Sequence, residues 1–185
     1  MTTTDTQQTT KWTLDKNHSQ VEFSAKHMMF TTVRGRFNSV EAEVDWNEAD
    51  PTKSSVVATI DANSLTTFND QRDTHLRSGD FFEVEKNPTI TFRSTRIEAA
   101  GKNEFRITGD LTVRGVTKEV ALATTYEGRG VDPYGNVHAA FAAHTTINRK
   151  DWGLTWNVAL ETGGVLVGDT IKIDIEAELL EQKAA

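Results

Sequence analysis

A chain of 185 residues with 37% apolar content and a mean hydropathy of −0.48 can bury one sizeable core and suits a soluble protein. Its net charge of −7 argues against nucleic acid and anionic membranes as partners, since both demand basic patches. The absence of cysteine excludes disulfides and thiolate chemistry, and no apolar run reaches membrane-spanning length.

Residues 1–10 are polar, rich in Thr and Gln, and read as a disordered tail ahead of a domain over 11–182. The same stretch lacks the apolar region of a secretory signal, so the expectation is a cytoplasmic protein. From there the dominant signal is alternation with period two. Val21, Phe23 and Ala25 alternate with polar neighbours; so do Val40, Ala42, Val44 and Trp46, then Val56, Ala58 and Ile60. One helix is expected from Asn69 to Arg77, with Asn69 as its cap and Asp70 in its first turn. The next segment, LRSGDFFEVEKNPTITF, sets the adjacent rings of Phe81 and Phe82 among charges. Adjacent residues point in different directions on either a strand or a helix. One ring is therefore expected to face the interior while the other packs under the connection.

Strand patterns resume at Ile90, Phe92 and Ser94, and again over Phe105, Ile107, Gly109, Leu111 and Val113. Three more follow: Val120 to Tyr126, Val137 to Ala143, and Ile171 to Leu179. Turn signals such as EADPTKS, AAGKNE and GVDPYGN separate them. About eight strands with one buried face imply an antiparallel all-β domain, either a sandwich or a barrel, with one or two short helices. Many inward positions are small: Ala25, Ala42, Ala58, Ser94, Gly109, Thr124, Ala139, Ala143 and Ala177. Small inward residues favour a hollow barrel with room for a ligand over a filled one.

Four segments carry a family resemblance: LDKNHSQVEFSAKHMMFTTVRGRF, LRSGDFFEVEKNPTITFRST, GDLTVRGVTKEVAL and INRKDWGL. In this order they resemble the signature blocks of the YceI-like family and span nearly the whole chain. The resemblance implies a lipocalin-like antiparallel β-barrel whose long apolar tunnel binds polyisoprenoid or similar lipid chains. Many members of that family are exported to the periplasm, which the polar N-terminus here does not suggest.

Signs of catalysis are sparse. No histidine pair has zincin spacing, and the Asp15, His18 and Ser19 run lacks a nucleophile elbow. His18 reads as a strand-start residue bonded to backbone. Strand carboxylates alternate outward as a solvated face, and no phosphate-binding glycine loop is present. Arg34, Arg36, Arg77 and Arg114 read as solvated, with an anionic head group as the alternative partner. The sequence points to no catalytic residue, metal or cofactor.

The reading is a non-enzymatic barrel that binds a long apolar ligand for storage, transport or sequestration. The ligand classes are polyisoprenoid, isoprenoid quinone or fatty-acid-like lipid. The expected lining comprises Phe23, Ala25, His27, Phe30 and Phe37 from the first block, and Phe81, Phe82, Phe92, Ser94 and Leu111 from the middle. Phe141, Trp152 and Trp156 complete it. Nucleic acid and stable membrane insertion are not expected, and both a monomer and a homodimer fit. Two alternatives stand beside this: an enzyme acting on a lipid head group with His27 as base, and a filled barrel serving as an interaction module.

Overall fold

The alternation of apolar and polar residues folds into strands that roll into a cylinder, because only closure hides every sheet edge. The computed structural model describes residues 9–183. Most of the anticipated tail therefore lies outside the described residues, and Thr10 already opens the first strand. The strands in chain order are β1 (Thr10–Leu14), β2 (Gln20–His27), β3 (Thr31–Phe37), β4 (Val40–Trp46), β5 (Ser55–Asp61) and β6 (Leu65–Thr66). After the α-helix α1 (Asp70–Arg77) come β7 (Thr89–Gly101), β8 (Glu104–Val113), β9 (Val116–Val131), β10 (Val137–Asn148) and β11 (Thr170–Glu181). All pairings are antiparallel.

Eight strands close the ring in the order β1-β4-β5-β7-β8-β9-β10-β11, and β11 pairs back onto β1. The remaining strands continue three of these beyond a break. β2 prolongs β1 along the edge of β11, β3 pairs with β2, and β6 pairs with β3. At this level the wall has a slot. The β1–β4 ladder ends at Thr13 opposite Glu43, and the β2–β3 ladder starts at Val21 opposite Phe37. Between them the backbone finds partners on the far sides. Asp15 N–H and the Ser19 hydroxyl both bond Glu178 O, while Asn38 N–H bonds Ser64 O and Asp61 N–H bonds Ser39 O. Each edge is satisfied away from the other, and among the described residues Lys16 and Glu41 meet across the opening at 2.7 Å.

The helix forms where the sequence places it. Asn69 Oδ1 accepts from Arg72 N–H, Asp70 and Asp73 lie in the first turn, and Arg77 closes the last. Leu76 is its only large aliphatic side chain, so apolar packing alone does not hold it. Polar contacts to the β6 end do. Buried Asp73 accepts from both the N–H and the hydroxyl of Thr67 at 2.8 and 2.5 Å. Arg72 Nε donates to the Thr67 hydroxyl at 2.7 Å, and Arg77 Nη2 donates to Leu65 O at 2.6 Å.

Two apolar clusters sit at opposite ends of the cylinder. One gathers Trp12, Val44, Ala139 and Leu179 with the half-buried rings of Trp46, Tyr126 and Phe141. The other gathers Phe81, Phe92, Leu111, Trp152 and Leu154 with Phe37, Phe82 and Trp156. The barrel is hollow between them.

Candidate functional site

The hollow is a cavity of about 720 Å³, within the range of small-molecule sites, which run to about 1,000 Å³. Every wall strand sends its inward residues into it. Ala42, Ala58, Ala143, Ala177 and Thr124 line the cavity beside Val, Ile and Phe of neighbouring strands. Small residues at mid-strand keep the lumen open, and the larger ones line it with apolar surface.

The ends are closed by rings. At one, Trp46 packs at a tilt, 4.8 Å from Phe141 and 5.5 Å from Tyr126. At the other, Trp156 meets His75 at 4.5 Å and Phe81 at 5.4 Å, while Phe82 meets Phe37 at 6.0 Å. The 3₁₀ turn Arg149–Trp152 begins this second cover. Trp152 lays its indole into the barrel end and donates Nε1–H to Leu111 O at 3.0 Å, which removes the cost of burying that group. The adjacent Phe81 and Phe82 both line the cavity, Phe81 fully buried and Phe82 half-buried. The segment is tightly turned, with Phe81 N–H on Ser78 O and Phe82 N–H on Leu76 O. It points the two rings to different partners within the same lumen, where the sequence suggested one inside and one beneath.

Of the anticipated lining, Phe23, Ala25, His27, Phe37, Phe81, Phe82, Phe92, Leu111, Phe141, Trp152 and Trp156 border the cavity. Phe30 and Ser94 do not. Phe30 rides the tip of the β2–β3 hairpin with 78% of its surface exposed, because Met28 and Met29 take positive φ and turn the chain outward before it. Ser94 lies at a bulge in β7, and its hydroxyl accepts Val56 N–H at 2.9 Å in place of a ladder bond. Gly109 is also corrected. A Cβ there would stand 2.6 Å from the Phe92 ring and 2.5 Å from Arg93 O, so the glycine makes room for a ring, not for a ligand. Ala139 is buried in the end cluster around Trp12, outside the lumen.

Besides scattered wall residues such as Glu22, Ser54, Thr145 and Glu176, polar residues enter the lining in two groups. Lys16, Ser19, Gln20 and Asn38 edge the wall slot. Thr67, Asn69, Gln71, Arg72 and His75 come from α1 and the loop before it. These last, and Arg149, are among the lining residues that pattern reading missed. The helix lacks an apolar stripe, so period-based reading gives it no face, although a nearly all-polar helix in a β protein is itself a sign of a cover. Arg149 is 4% exposed and donates to the carbonyls of Gly168, Leu154, Trp156 and Val167 and to Asp169 Oδ1. It thereby folds the 153–169 loop over the barrel end. Burial pushes its guanidinium below the ordinary value and Asp169 opposes the shift. The group stays charged, as guanidinium does in proteins.

Three of the other arginines have partners of their own, and the fourth, Arg34, stands on β3 outside the cavity lining. Arg77 serves Asn63 and Leu65 carbonyls, Arg114 bonds Phe81 O, and Arg36 lies over the Phe68 ring at 5.4 Å. His18 does not bond backbone through its ring: its Nδ1 lies 2.8 Å from Asp15 Oδ2. At the cavity edge, His75 Nε2 is paired with Asp80 at 2.7 Å. Among the described residues neither His27 nor His75 shares a hydrogen bond with a hydroxyl, so no nucleophile and base stand together there.

A hollow apolar eight-stranded barrel, capped at one end by a short helix and an aromatic loop, matches the description YceI-like domain over residues 12–179. The chain belongs to the YceI-like family. A UPF0312 protein of Staphylococcus epidermidis is 38% identical over 170 residues, covering 91% of this chain and 96% of that protein. Among solved structures, the YceI protein of Campylobacter jejuni is 30% identical with a TM-score of 0.73, covering 85% of this chain and 90% of that one. A polyisoprenoid-binding domain from Saccharophagus degradans shares the fold at a TM-score of 0.67 with 14% identity, over 92% and 98% of the two chains. Family and cavity together describe a barrel of the YceI-like type with an apolar lumen.

Proposed function

We propose that this YceI-like barrel is a lipid carrier whose lumen takes one long acyl or prenyl chain: a polyisoprenoid, an isoprenoid quinone or a fatty-acid-like lipid. The observation that carries the reading is the 720 Å³ apolar cavity running between two aromatic covers. Each chain methylene moved from water into it contributes roughly 0.8 kcal/mol gross, against the cost of ordering the chain. The polar groups at α1 and along the slot supply places for a head group to remain in contact with water.

The test is mass spectrometry of organic extracts from the purified protein, followed by titration with a fluorescent long-chain lipid. A co-purifying lipid, or saturable binding at one lipid per chain that Ala143→Phe weakens at least tenfold, supports the carrier. A protein that brings no lipid through purification and binds neither acyl nor prenyl probes defeats it.

A further inference from the structure

The end of the barrel that carries α1 exposes apolar side chains which neither the core nor the lumen uses. Met28, Met29 and Phe30 form the tip of the β2–β3 hairpin, Phe68 precedes α1, and Val158 stands in the 153–169 loop. Met29, Phe30 and Phe68 expose 58%, 78% and 75% of their surface. Backbone contacts gather these segments. Met28 N–H donates to Leu166 O and Leu166 N–H to Val158 O, at 2.8 and 2.9 Å. Phe68 follows β6, which pairs with β3, and its ring lies 5.4 Å under the Arg36 guanidinium. Met28, Met29 and Phe68 take φ of 50°, 66° and 61°, a left-handed backbone that strains residues other than glycine. That strain turns apolar side chains into water, so core packing gains nothing from it.

The charges beside the tip, and its place at the lumen, point to what covers it. Lys26, Arg34 and Lys172 are exposed on the adjoining strands β2, β3 and β11. Ser24 pairs with both Arg34 and Lys172, and Lys26 follows two residues on, on the same outer face. Arg34 and Lys172 have no ion pair among the described residues, and Lys26 Nζ donates to Phe30 O at 3.3 Å. With Arg36 these cations outnumber Asp70 and Glu161, the acids on the α1 and 153–169 sides. The net charge of −7 belongs to the whole chain, whereas a docking surface is felt over about 10 Å, the screening length at 0.1 M salt, and over that range this end is basic. The lumen reaches the surface at the same place: Lys26, His27, Asn69 and Gln71 are exposed and also line it.

We propose that the hairpin tip, with Phe68 and Val158, is a docking surface for a phospholipid bilayer that carries anionic head groups. An interfacial element joins apolar side chains that enter the head-group region to flanking cations that attract anionic lipids. Met28, Met29 and Phe30 supply the first, and Lys26, Arg34 and Lys172 the second. A hairpin tip is far short of a spanning element, so the contact is peripheral and reversible. Docked in this way, the mouth of the lumen faces the bilayer, and a lipid chain passes between membrane and barrel without crossing water. That passage rests on the carrier reading; the docking itself does not.

The test uses the full chain with phosphatidylcholine vesicles, with or without phosphatidylglycerol, read by flotation. Binding to the anionic vesicles is expected, and it should weaken in high salt. Phe30→Ser and Arg34→Glu should each weaken it at least fivefold. Phe30 is exposed and outside the lumen, so Phe30→Ser keeps its fold and its affinity for a monomeric fluorescent fatty acid added without vesicles. The chain lacks cysteine, so Phe30→Cys can carry an environment-sensitive dye. Its emission should shift blue on anionic vesicles, while the same dye on Tyr134→Cys, exposed in the β9–β10 turn at the opposite end, stays unchanged. A parent chain that floats with the vesicles but binds no fatty acid supports docking and defeats only the carrier. No binding to anionic vesicles, equal binding to neutral ones, or a dimer that Phe30→Ser dissociates overturns the docking surface.

Discussion

Single residues decide what is wall and what is lumen. Gly109 and Ala143 are both small positions on inward faces, yet they differ in what stands beside them. Any side chain at Gly109 meets the Phe92 ring and a backbone oxygen, and overpacking of this kind costs about 1–3 kcal/mol or more. Gly109→Leu is therefore expected to lower the melting temperature by several degrees, whatever its effect on lipid. Ala143 borders the cavity, so Ala143→Phe should keep or raise the melting temperature of the lipid-free protein while lipid affinity falls. Equal destabilisation by the two variants would mean the lumen is filled in solution. Arg149 is the opposite case, a charge buried because five acceptors surround it. Arg149→Lys keeps the charge but cannot reach those acceptors in a planar fork. A loss of about 2–4 kcal/mol in urea unfolding is expected, and a loss under about 1 kcal/mol would refute the organising role.

At the scale of elements, α1 stands on polar contacts instead of an apolar face. Asp73 holds it to Thr67, and Thr67 in turn receives Arg72. Asp73→Ala leaves the buried Thr67 N–H without its partner, at a cost of about 1–3 kcal/mol. Hydrogen exchange should then accelerate over 65–77 and remain unchanged in the β9–β10–β11 ladders, because the helix is stitched to the β6 end and not to those strands. Uniform acceleration across the barrel would show instead that α1 is part of the global cooperative unit. The sequence revealed α1 by its cap and its charges. The breaks between β1 and β2 and between β3 and β4 were less legible. Lys16–Ser19 and Asn38–Ser39 look like ordinary turns, and only the ladder registers show that the chain runs on in the same direction after each.

For the whole molecule, an outer-wall cluster of Asp15, His18, Asp132, His138 and Glu178 couples stability to pH. His138 is raised above its ordinary value of 6.5, chiefly by its bond to Asp132 and then by Glu178. A folded-state value above the unfolded one means the contribution is complete below about pH 6.5 and is lost as pH rises through the raised value. Asp15 and Asp132 are shifted down, Asp15 first by His18 and Asp132 first by Asn136, so their contribution holds at neutral pH and is lost in acid. The melting-temperature gap between the parent protein and His138→Gln should be widest near pH 6 and should narrow by pH 9. A gap that widens with pH would show that the imidazole is stabilising in its neutral form.

The sequence by itself determined the all-β class, eight of the eleven strands and the helix. Alternation with period two reports which residues turn inward, and that information is local to each strand. Four ordered blocks also sufficed for the family. Only the tertiary structure decided which inward residues face empty space. Gly109 and Ser94 share an inward phase with Ala143, but a neighbouring ring and a bulge, both set by the partner strand, take them out of the lumen. The same holds for Phe30, which positive φ at the hairpin tip carries outward, and for Arg149, whose acceptors come from a loop up to 20 residues away. The Asp15, His18, His138 and Glu178 cluster exists only because barrel closure brings β1 and β10 to either side of β11. Contacts made by closure join residues far apart in the chain, and no local pattern records them.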